Sequence, residues 1–318
     1  MRRRAFVLAA AGLGWSCRQQ PKKVVAVIPK GTSHLFWLTV HAGAVAAGRE
    51  FGLEIRWNGP PTETEYSRQI QIVDSMIARR VDGIVLAPAE RKALVGPVDR
   101  AMSAGIPTVI FDSGLDSENY TGYVATNNYE AGRMGARALA QMLGGRGKVA
   151  VILHAPGSQS TMERERGFDD VMLKEFAGIH VVARQYGMAD KAKAMAAAEN
   201  ILTAHPDLNG MFASTEPSST GAVLALKGRG LAGKIKFVAF DSTDVMVEDL
   251  KRGHYHAMVV QDPFRIGFDA VRLISDKLKG GTPPKRMDLD ASVIRADDLD
   301  RPEVQQLLLP DLKKYLDK

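Results

Sequence analysis

The sequence has a single cysteine, Cys17, in 318 residues, so no second thiol is present for an internal disulfide. After the first twenty or so residues there is no apolar run of membrane-spanning length. Aromatic residues make up only 7% of the chain, and no dense block of lysine and arginine has aromatic residues between its members. These absences argue against a disulfide-stabilised scaffold, an integral membrane protein and a nucleic-acid-binding protein.

The first 17 residues have the composition of an export signal. Arg2–Arg4 precede an apolar run, Ala5–Leu13, which leads through small residues to Cys17. The run is shorter than the roughly 20 residues that a membrane-spanning helix needs. We therefore predict export to the periplasm or to the extracytoplasmic face of the membrane. Loss of the three arginines would reduce the formal net charge from +6 to +3.

Cys17 is the predicted site of lipid attachment. A lone thiol at the end of an export signal is typical of bacterial lipoproteins, which are cleaved before the cysteine and tethered to the membrane by lipid. Gly14 stands where that motif usually has leucine, and Arg3–Val7 also resembles a twin-arginine signal. The two export routes stay open at this stage, as does an incidental cysteine in a discarded peptide.

From Lys22 onward, short β-rich runs alternate with amphipathic helical stretches. Val24–Ile28 is continuously apolar, which predicts a strand buried on both faces, and Phe36–Phe51 predicts the helix that follows. The alternation continues to Phe111 and begins again after Asn127. Strand–helix alternation at this spacing predicts α/β architecture with doubly wound parallel sheets. The restart, and about 300 mature residues, predict two lobes.

Polar and aromatic side chains follow the predicted strands, at the sheet edge where open α/β folds bind ligands. The candidate ligand-binding residues are Lys30, His34, Phe36, Trp37, Asp112, Ser113, Arg164, Thr215, Glu216, Asp241 and Gln261. Their carboxylates, amides, hydroxyls and guanidinium can bind vicinal hydroxyl groups, each of which donates and accepts. Phe36 and Trp37 offer flat apolar faces for the C–H side of a sugar ring.

At these residues the chain resembles the type I periplasmic sugar-binding proteins, the ribose-binding-like solute-binding components of ABC importers. The resemblance covers about Lys22 to Ala296, and its carriers are Pro29–Trp37, Phe111–Ser113, Glu163–Phe168, Phe240–Asp241 and Gln261. It implies a monomer that captures a monosaccharide or related polyol between two lobes and delivers it to the permease subunits of an ABC importer. It implies no cofactor and no metal.

The resemblance also implies residue roles. Phe36 and Trp37 would stack on the sugar, Asp112 would accept from its hydroxyls, and Arg164 would donate to hydroxyl or ring oxygens. From the opposite lobe, Asp241 and Gln261 would bind the ligand, with Lys30 and His34 adding charge or donors.

Two departures from the ribose-binding pattern bear on specificity. Ser113 stands where an arginine is usual, and Thr215-Glu216 stand where an asparagine is usual. These departures favour a ligand other than ribose, such as a sugar alcohol, a ketose or a modified sugar.

The predicted lobes are discontinuous in sequence. The first comprises residues 24–126 plus 262–292, and the second comprises 127–261 plus 293–318. The chain would cross between them in three places, which form the hinge: near Thr126–Asn127, Gln261–Asp262 and Ser292–Arg295. The stretch from Pro302 is predicted to form a short helix and tail on the outside of a lobe, away from the cleft.

Other interpretations compete with these predictions. Trp37 and Phe36 could be core residues, Asp112 and Asp241 could be local caps, and Arg164 could form a surface ion pair. Asp112 and Asp241 could also form a catalytic carboxylate pair. Sugar binding explains both residues without turnover, so we predict that the protein is not an enzyme. A sugar-sensing protein that presents its ligand to a membrane receptor or sensor kinase is the alternative function.

Overall fold

The computed structural model describes residues 21–316, so the predicted signal at residues 1–17, with Cys17, lies outside the described residues. Within residues 21–316 the chain forms two six-stranded sheets with helices on both faces. No helix in that range is both long and apolar enough to span a bilayer.

Twelve strands form the two sheets. In chain order they are β1 (Val24–Ile28), β2 (Glu54–Trp57), β3 (Gly83–Leu86), β4 (Thr108–Phe111), β5 (Gly122–Thr126), β6 (Arg146–Leu153), β7 (Gly178–Tyr186), β8 (Gly210–Ala213), β9 (Lys236–Phe240), β10 (Ala257–Val260), β11 (Arg286–Leu289) and β12 (Ser292–Ile294).

Eleven α-helices and one 3₁₀ turn, Ala296–Asp298, connect or follow these strands in the described range. The helices are α1 (Leu35–Phe51), α2 (Tyr66–Ala78), α3 (Val95–Ser103), α4 (Asn128–Met142), α5 (Gln159–Lys174), α6 (Lys191–Ala204), α7 (Glu216–Gly228), α8 (Asp244–Lys251), α9 (Pro263–Leu278), α10 (Pro302–Leu308) and α11 (Lys313–Leu316).

Each sheet is the centre of one lobe. The first lobe has strand order β11-β5-β4-β3-β1-β2, and all its strand pairs are parallel. The second has the order β12-β10-β9-β8-β6-β7, in which only β12 runs antiparallel to its neighbour. Apolar clusters lie on both faces of each sheet, as continuously apolar strands require. The predicted fold class is confirmed.

The chain passes between the sheets after β5, after β10 and between β11 and β12. The first two passages lead directly into capped helices. Asn127 Oδ1 accepts from Glu130 N at 3.2 Å to begin α4, and Asp262 Oδ1 accepts from Arg265 N at 2.9 Å to begin α9. Pro263 at the first helical position also suits a helix start. The first two passages are therefore short, since a capped helix begins directly after each of them.

The structure differs from the sequence predictions near the third passage. Ser292 pairs with Val260 in the second sheet, although its segment was assigned to the first lobe, and the passage lies at Asp290–Ala291 rather than near Ser292–Arg295. Strands β5 and β11 were not predicted. Two of the four residues of β11, Arg286 and Asp288, are exposed, so its sequence lacks a buried-strand pattern.

The C-terminal tail contacts both lobes. Val304 and Leu308 of α10 are buried in the core of the second lobe. Helix α11 then lies on α1 of the first lobe, where Arg49 donates to the carbonyls of Lys314 and Tyr315 at 3.1 and 3.0 Å. The last part of segment 293–318 therefore packs against the first lobe, not the second to which it was assigned.

Neighbouring leucines of the tail provide a matched test of its anchoring. Leu308 is 3% exposed, whereas Leu309 is 53% exposed. We expect Leu308→Ala to lower the free energy of unfolding by about 2–3 kcal/mol, because it removes buried apolar volume. Leu309→Ala should change it by less than about 0.5 kcal/mol. Urea denaturation of both variants measures this, and equal effects would contradict the anchoring of α10.

Candidate functional site

The carboxyl ends of the strands of both sheets face each other across a cleft between the lobes. The cleft is lined by Lys30, His34, Phe36, Trp37, Glu63, Asp112, His154, Ser160, Thr161, Arg164, Thr215, Glu216, Pro217, Asp241 and Gln261. Ten of the eleven predicted ligand-binding residues are in this set. The remaining one, Ser113, is buried behind it and accepts from the backbone N–H of Ser160 at 3.1 Å, across the lobes.

Two aspartates occupy equivalent places in the two lobes. Asp112 follows β4 and Asp241 follows β9, and both have left-handed backbones, with φ of 58° and 65°. Each backbone N–H still bonds the neighbouring strand, to Val124 O at 2.9 Å and to Val259 O at 2.8 Å. The left-handed turn ends each strand and leaves both carboxylates lining the cleft. Aspartate and asparagine are among the few non-glycine residues that adopt this conformation readily.

Asp112 forms a buried ion pair with Lys30. Lys30 Nζ lies 2.7 Å from Asp112 Oδ2 and also donates to the hydroxyls of Ser158 and Ser160, at 3.2 and 3.0 Å. Beyond this ion pair, Asp112 Oδ2 accepts no hydrogen bond from residues 21–316. Lys30 thus bridges the lobes, and the carboxylate of Asp112 keeps capacity to accept further hydrogen bonds.

Arg164 is held rigidly in the second lobe. Its Nε donates to Asn128 Oδ1 at 2.7 Å, its Nη1 donates to Ser214 O at 3.0 Å, and the guanidinium carbon lies 3.9 Å from the ring centroid of Phe240. Burial lowers the pKa of Arg164, and the negative charge of Asp241 opposes this change. Arg164 lines the cleft, although the residue as a whole is only 2% exposed.

Asp241 is connected to the hinge through Gln261. Gln261 Nε2 donates to Asp241 Oδ1 at 2.7 Å, and Gln261 Oε1 accepts from Thr126 Oγ1 at 2.7 Å. The other carboxylate oxygen of Asp241 accepts from the backbone N–H of Glu216 at 3.2 Å. Burial raises the pKa of Asp241. Thr126 and Gln261 stand at the first two passages between the lobes, so this hydrogen-bond chain joins the hinge to the cleft.

The two aromatic residues differ in their surroundings. Trp37 is 2% exposed, packs edge-on against Phe36 and Phe111, and donates from Nε1 to Glu63 Oε1 at 3.0 Å. It belongs to the core of the first lobe as well as to the cleft wall. Phe36 is only partly buried, so of the pair it has the more accessible ring face.

Glu63 and His154 line the cleft but were not among the predicted site residues. His154 Nε2 of the second lobe lies 3.3 Å from Glu63 Oε2 of the first lobe. His34 Nε2 lies 3.7 Å from Glu63 Oε1, and His34 Nδ1 lies 3.4 Å from Glu216 Oε2. His154 Nδ1 lies 3.3 Å from Thr215 Oγ1, which places Thr215 in the same polar network. Ionisable pairs therefore join the lobes directly.

The pKa values of this network reflect competition between burial and charge. Burial lowers the pKa of His34, but Glu216 and Glu63 outweigh this effect and raise it. Burial opposes ionisation of Glu63, yet its interactions with His154, His34 and Lys30 hold its pKa well below the ordinary range. Glu63 is consequently an anion in the folded protein.

Comparisons with known proteins agree with this geometry. Residues 25–282 match the family described as periplasmic binding protein domain. This chain belongs to that family. The predicted membership is confirmed, and the family consists of binding proteins rather than enzymes. The D-ribose/D-allose-binding protein of Pseudomonas aeruginosa is 32% identical over 275 residues, which are 84% of this chain and 86% of that protein.

Solved structures of similar periplasmic binding proteins share the whole architecture. A carbohydrate transporter solute-binding protein of Agrobacterium radiobacter, in complex with D-arabinose, has a TM-score of 0.88 and 31% identity over 90% of this chain and 99% of that one. An ABC transporter solute-binding protein of Agrobacterium vitis, bound to α-D-tagatopyranose, has a TM-score of 0.87 and 31% identity, with the same coverage.

A second cavity of about 310 Å³ adjoins the cleft of this periplasmic binding protein, beside the hinge. It shares Phe36, Asp241 and Gln261 with the cleft, and the tail residues 307–313 form one wall. The tail was predicted to lie away from the cleft. Its return to the first lobe through α11 places it beside the site instead.

Sequence signals existed for one of the missed residues. His154 directly follows β6, so the strand-end rule selects it as readily as it selects Asp112. Glu63 lies in the loop between β2 and α2, six residues beyond the end of the strand. Only the path of that loop brings its carboxylate to Trp37 and His34.

Proposed function

We propose that this protein captures a monosaccharide or related polyol between its lobes and delivers it to the permease subunits of an ABC importer. The observation that carries the proposal is a set of buried carboxylate oxygens in the cleft that accept no hydrogen bond from residues 21–316: Asp112 Oδ2, Glu216 Oε1 and Glu216 Oε2. Buried polar atoms normally have partners. These oxygens lie beside ion-pair partners, Lys30 at Asp112 and Lys191 and His34 at Glu216, and hydroxyl groups of a sugar would add neutral donors from both walls.

The ligands of similar proteins support a sugar of this size. The relatives and structures named above bind, by their names, ribose or allose, arabinose and tagatose. The roles proposed for this chain follow from the side chains of the cleft. Phe36 would pack on the C–H face of the sugar, Asp112 and Asp241 would accept from hydroxyls, and Arg164 would donate.

Binding would be coupled to movement of the lobes. The space left between the cleft side chains is about 30 Å³, which accommodates about two water molecules and not a sugar ring. A sugar would therefore enter while the lobes are apart and hold them together once bound. Closure of two domains about a hinge is a known way in which periplasmic binding proteins capture their ligands. The Thr126–Gln261–Asp241 chain would report ligand contact to the hinge.

A thermal-shift screen of the mature protein against pentoses, hexoses, ketoses and sugar alcohols tests the proposal, with calorimetry on each positive compound. We expect at least one compound to bind with micromolar affinity, about −8 kcal/mol. Small-angle scattering should show a smaller radius of gyration with that compound than without it. Absence of binding by every compound at millimolar concentration would contradict the proposal.

A second candidate function is sugar sensing through a protein partner. A solved complex named XylFII-LytSN contains a chain with a TM-score of 0.82 and 25% identity to this one, so a protein of this fold occurs in complex with another protein. Deletion of the gene distinguishes the two functions. Loss of uptake of the labelled ligand supports import, whereas intact uptake with a lost transcriptional response to the ligand supports sensing.

We also propose that residues 1–17 direct export and that Cys17 carries a lipid anchor on a monomeric mature protein. In cells labelled with radioactive palmitate, the wild type should be labelled and recovered with membranes, whereas Cys17→Ser should be unlabelled and recovered in the soluble fraction. Equal labelling of both forms would contradict lipid attachment at this cysteine.

A further inference from the structure

Two imidazole–carboxylate pairs join the lobes across the cleft. His154 Nε2 of the second lobe lies 3.3 Å from Glu63 Oε2 of the first lobe, and His34 Nδ1 of the first lobe lies 3.4 Å from Glu216 Oε2 of the second. The four side chains are no more than 11% exposed. The two members of each pair belong to different lobes, so separation of the lobes would break both pairs.

The hydrogen-bond chain at His154 is satisfied when both ring nitrogens carry a proton. Thr215 Oγ1 donates to Ser218 Oγ at 3.1 Å, and Ser218 Oγ donates to Leu153 O at 3.4 Å. The single hydroxyl hydrogen of Thr215 is therefore used, so Thr215 accepts from His154 Nδ1, which is 3.3 Å away. On the other side of the ring, Nε2 faces Glu63, whose ionised carboxylate can only accept. Both nitrogens of an imidazole donate only in its cationic form.

His34 lies between two carboxylates in the same way. Its Nε2 lies 3.7 Å from Glu63 Oε1, and its Nδ1 lies 3.4 Å from Glu216 Oε2. A neutral imidazole carries one N–H, so it can donate to one of them only. Burial lowers the pKa of His34, but the two carboxylates outweigh burial and raise it, although the ammonium of Lys191 opposes them. The protonated ring is the better fit here as well.

The carboxylates that face the two imidazoles are anions. Burial opposes ionisation of Glu63 and Glu216, but their basic neighbours, which for Glu63 include Lys30, lower both pKa values. Glu165 of α5 also faces His154: its Oε1 accepts from the backbone N–H of His154 at 3.0 Å, and burial raises its pKa. Glu63 and Glu216 therefore stay negative over the range in which an imidazole titrates, about one pH unit on each side of pH 6.5.

We propose that closure of the lobes takes up protons on His34 and His154, so that capture of a neutral sugar becomes tighter as the pH falls from about 8 to about 6. The inference rests on the proposed sugar-binding function and adds a regulation of the same site. In the open form the imidazoles would face water, whereas in the closed form they face anions, which favour the protonated ring. This stabilisation of the closed form is complete below the ordinary imidazole pKa of about 6.5 and is lost as the pH rises through the higher value of the closed form.

Calorimetry in two buffers with different ionisation enthalpies, phosphate and Tris, counts the protons taken up on binding. The probes are D-ribose, D-allose, D-arabinose and D-tagatose, the sugars in the names of the similar proteins. None of them titrates near neutral pH, so any proton uptake belongs to the protein. At about pH 7 we expect uptake of about 0.3–1 proton for each sugar bound, with a Kd about three to twenty times lower at pH 6 than at pH 8.

The double variant with His34→Gln and His154→Gln should take up no proton, and its Kd should change by less than about twofold over the same range, because glutamine donates without titrating. Each single variant should keep about half of the uptake, and the single variants are measured where the double variant binds no sugar. His180→Gln is the matched control, since His180 is exposed on β7, and it should behave as the wild type does. Circular dichroism shows whether each variant is folded.

An equal Kd of the wild type at both pH values would overturn the inference and leave the sugar-binding function standing. Proton uptake that survives in the folded double variant, or undiminished in both single variants, would place it on other groups, such as Asp241 or Glu165, and would overturn it too. If none of the sugars binds, the failure concerns the proposed function, and scattering from the ligand-free protein decides the inference. The radius of gyration of the wild type should then be smaller at about pH 6 than at about pH 8, and an unchanged radius would overturn the inference.

Discussion

The Asp112→Asn variant is expected to bind sugar between ten and about one hundred times more weakly than the wild type. Asp112 Oδ2 is buried in the cleft beside Lys30 Nζ, at 2.7 Å, and can accept a further hydrogen bond from a ligand. Hydrogen bonds to charged groups are worth about 1.5–3 kcal/mol each. Each 1.4 kcal/mol corresponds to a factor of ten in affinity. Asparagine is chosen because it tolerates the left-handed backbone at this position, where φ is 58°.

Loss of the charge should also affect stability, because Lys30 loses its ion-pair partner. The ammonium keeps its bonds to Ser158 and Ser160, so we expect a decrease in unfolding free energy of up to about 3 kcal/mol, with the fold retained. Calorimetry well below the unfolding temperature separates affinity from stability. Asp74→Asn is the control, since Asp74 forms a surface pair with Arg100 at 2.8 Å. Unchanged affinity in folded Asp112→Asn would remove Asp112 from the site.

Gly267→Ala is expected to lower the free energy of unfolding by about 3 kcal/mol or more. Gly267 of α9 and Gly43 of α1 stand at the crossing of these two helices. A Cβ atom at Gly267 would lie 2.1 Å from Val40 O, and one at Gly43 would lie 2.0 Å from Phe264 O. Both obstacles are backbone atoms of a helix, so no side-chain rotation relieves the overlap, and the helices must separate.

Gly96→Ala is the matched control for that variant. Gly96 also lies inside a helix, α3, but the nearest atom to its Cβ position is Nη1 of Arg100, at 3.4 Å. Alanine at this exposed helical position should be neutral or raise stability by about 0.5–1 kcal/mol. Urea denaturation of both variants measures the difference. Similar stabilities would mean that α1 and α9 adjust their spacing without cost.

The second lobe repeats the close helix crossing of the first. A Cβ atom at Gly132 of α4 would lie 1.9 Å from Arg164 O, and one at Gly167 of α5 would lie 2.1 Å from Tyr129 O. This crossing fixes the backbone of Arg164, the residue whose guanidinium reaches the cleft. Close packing at glycine therefore contributes to the site as well as to the core.

Much of the candidate site was predictable because open α/β sheets gather residues from the ends of many strands. Asp112 and Asp241 directly follow β4 and β9, so their meeting in the cleft follows from strand assignment alone. Glu63 was not predictable in this way, because its loop has no sheet register to place it. The double role of Trp37, in the core and on the cleft wall, also depends on the path of that loop, through the bond to Glu63.

The sequence by itself determined the α/β class and most of the strands. Continuous apolar runs such as Val24–Ile28 can be buried only when helices cover both faces of a sheet. Tertiary structure decided that the half-exposed stretch Arg286–Leu289 is a strand, since only pairing with β5 makes it one. It also decided the return of the tail to the first lobe and the meeting of Glu216 with His34. Those contacts join residues far apart in the chain, and local sequence patterns do not predict which distant residues meet.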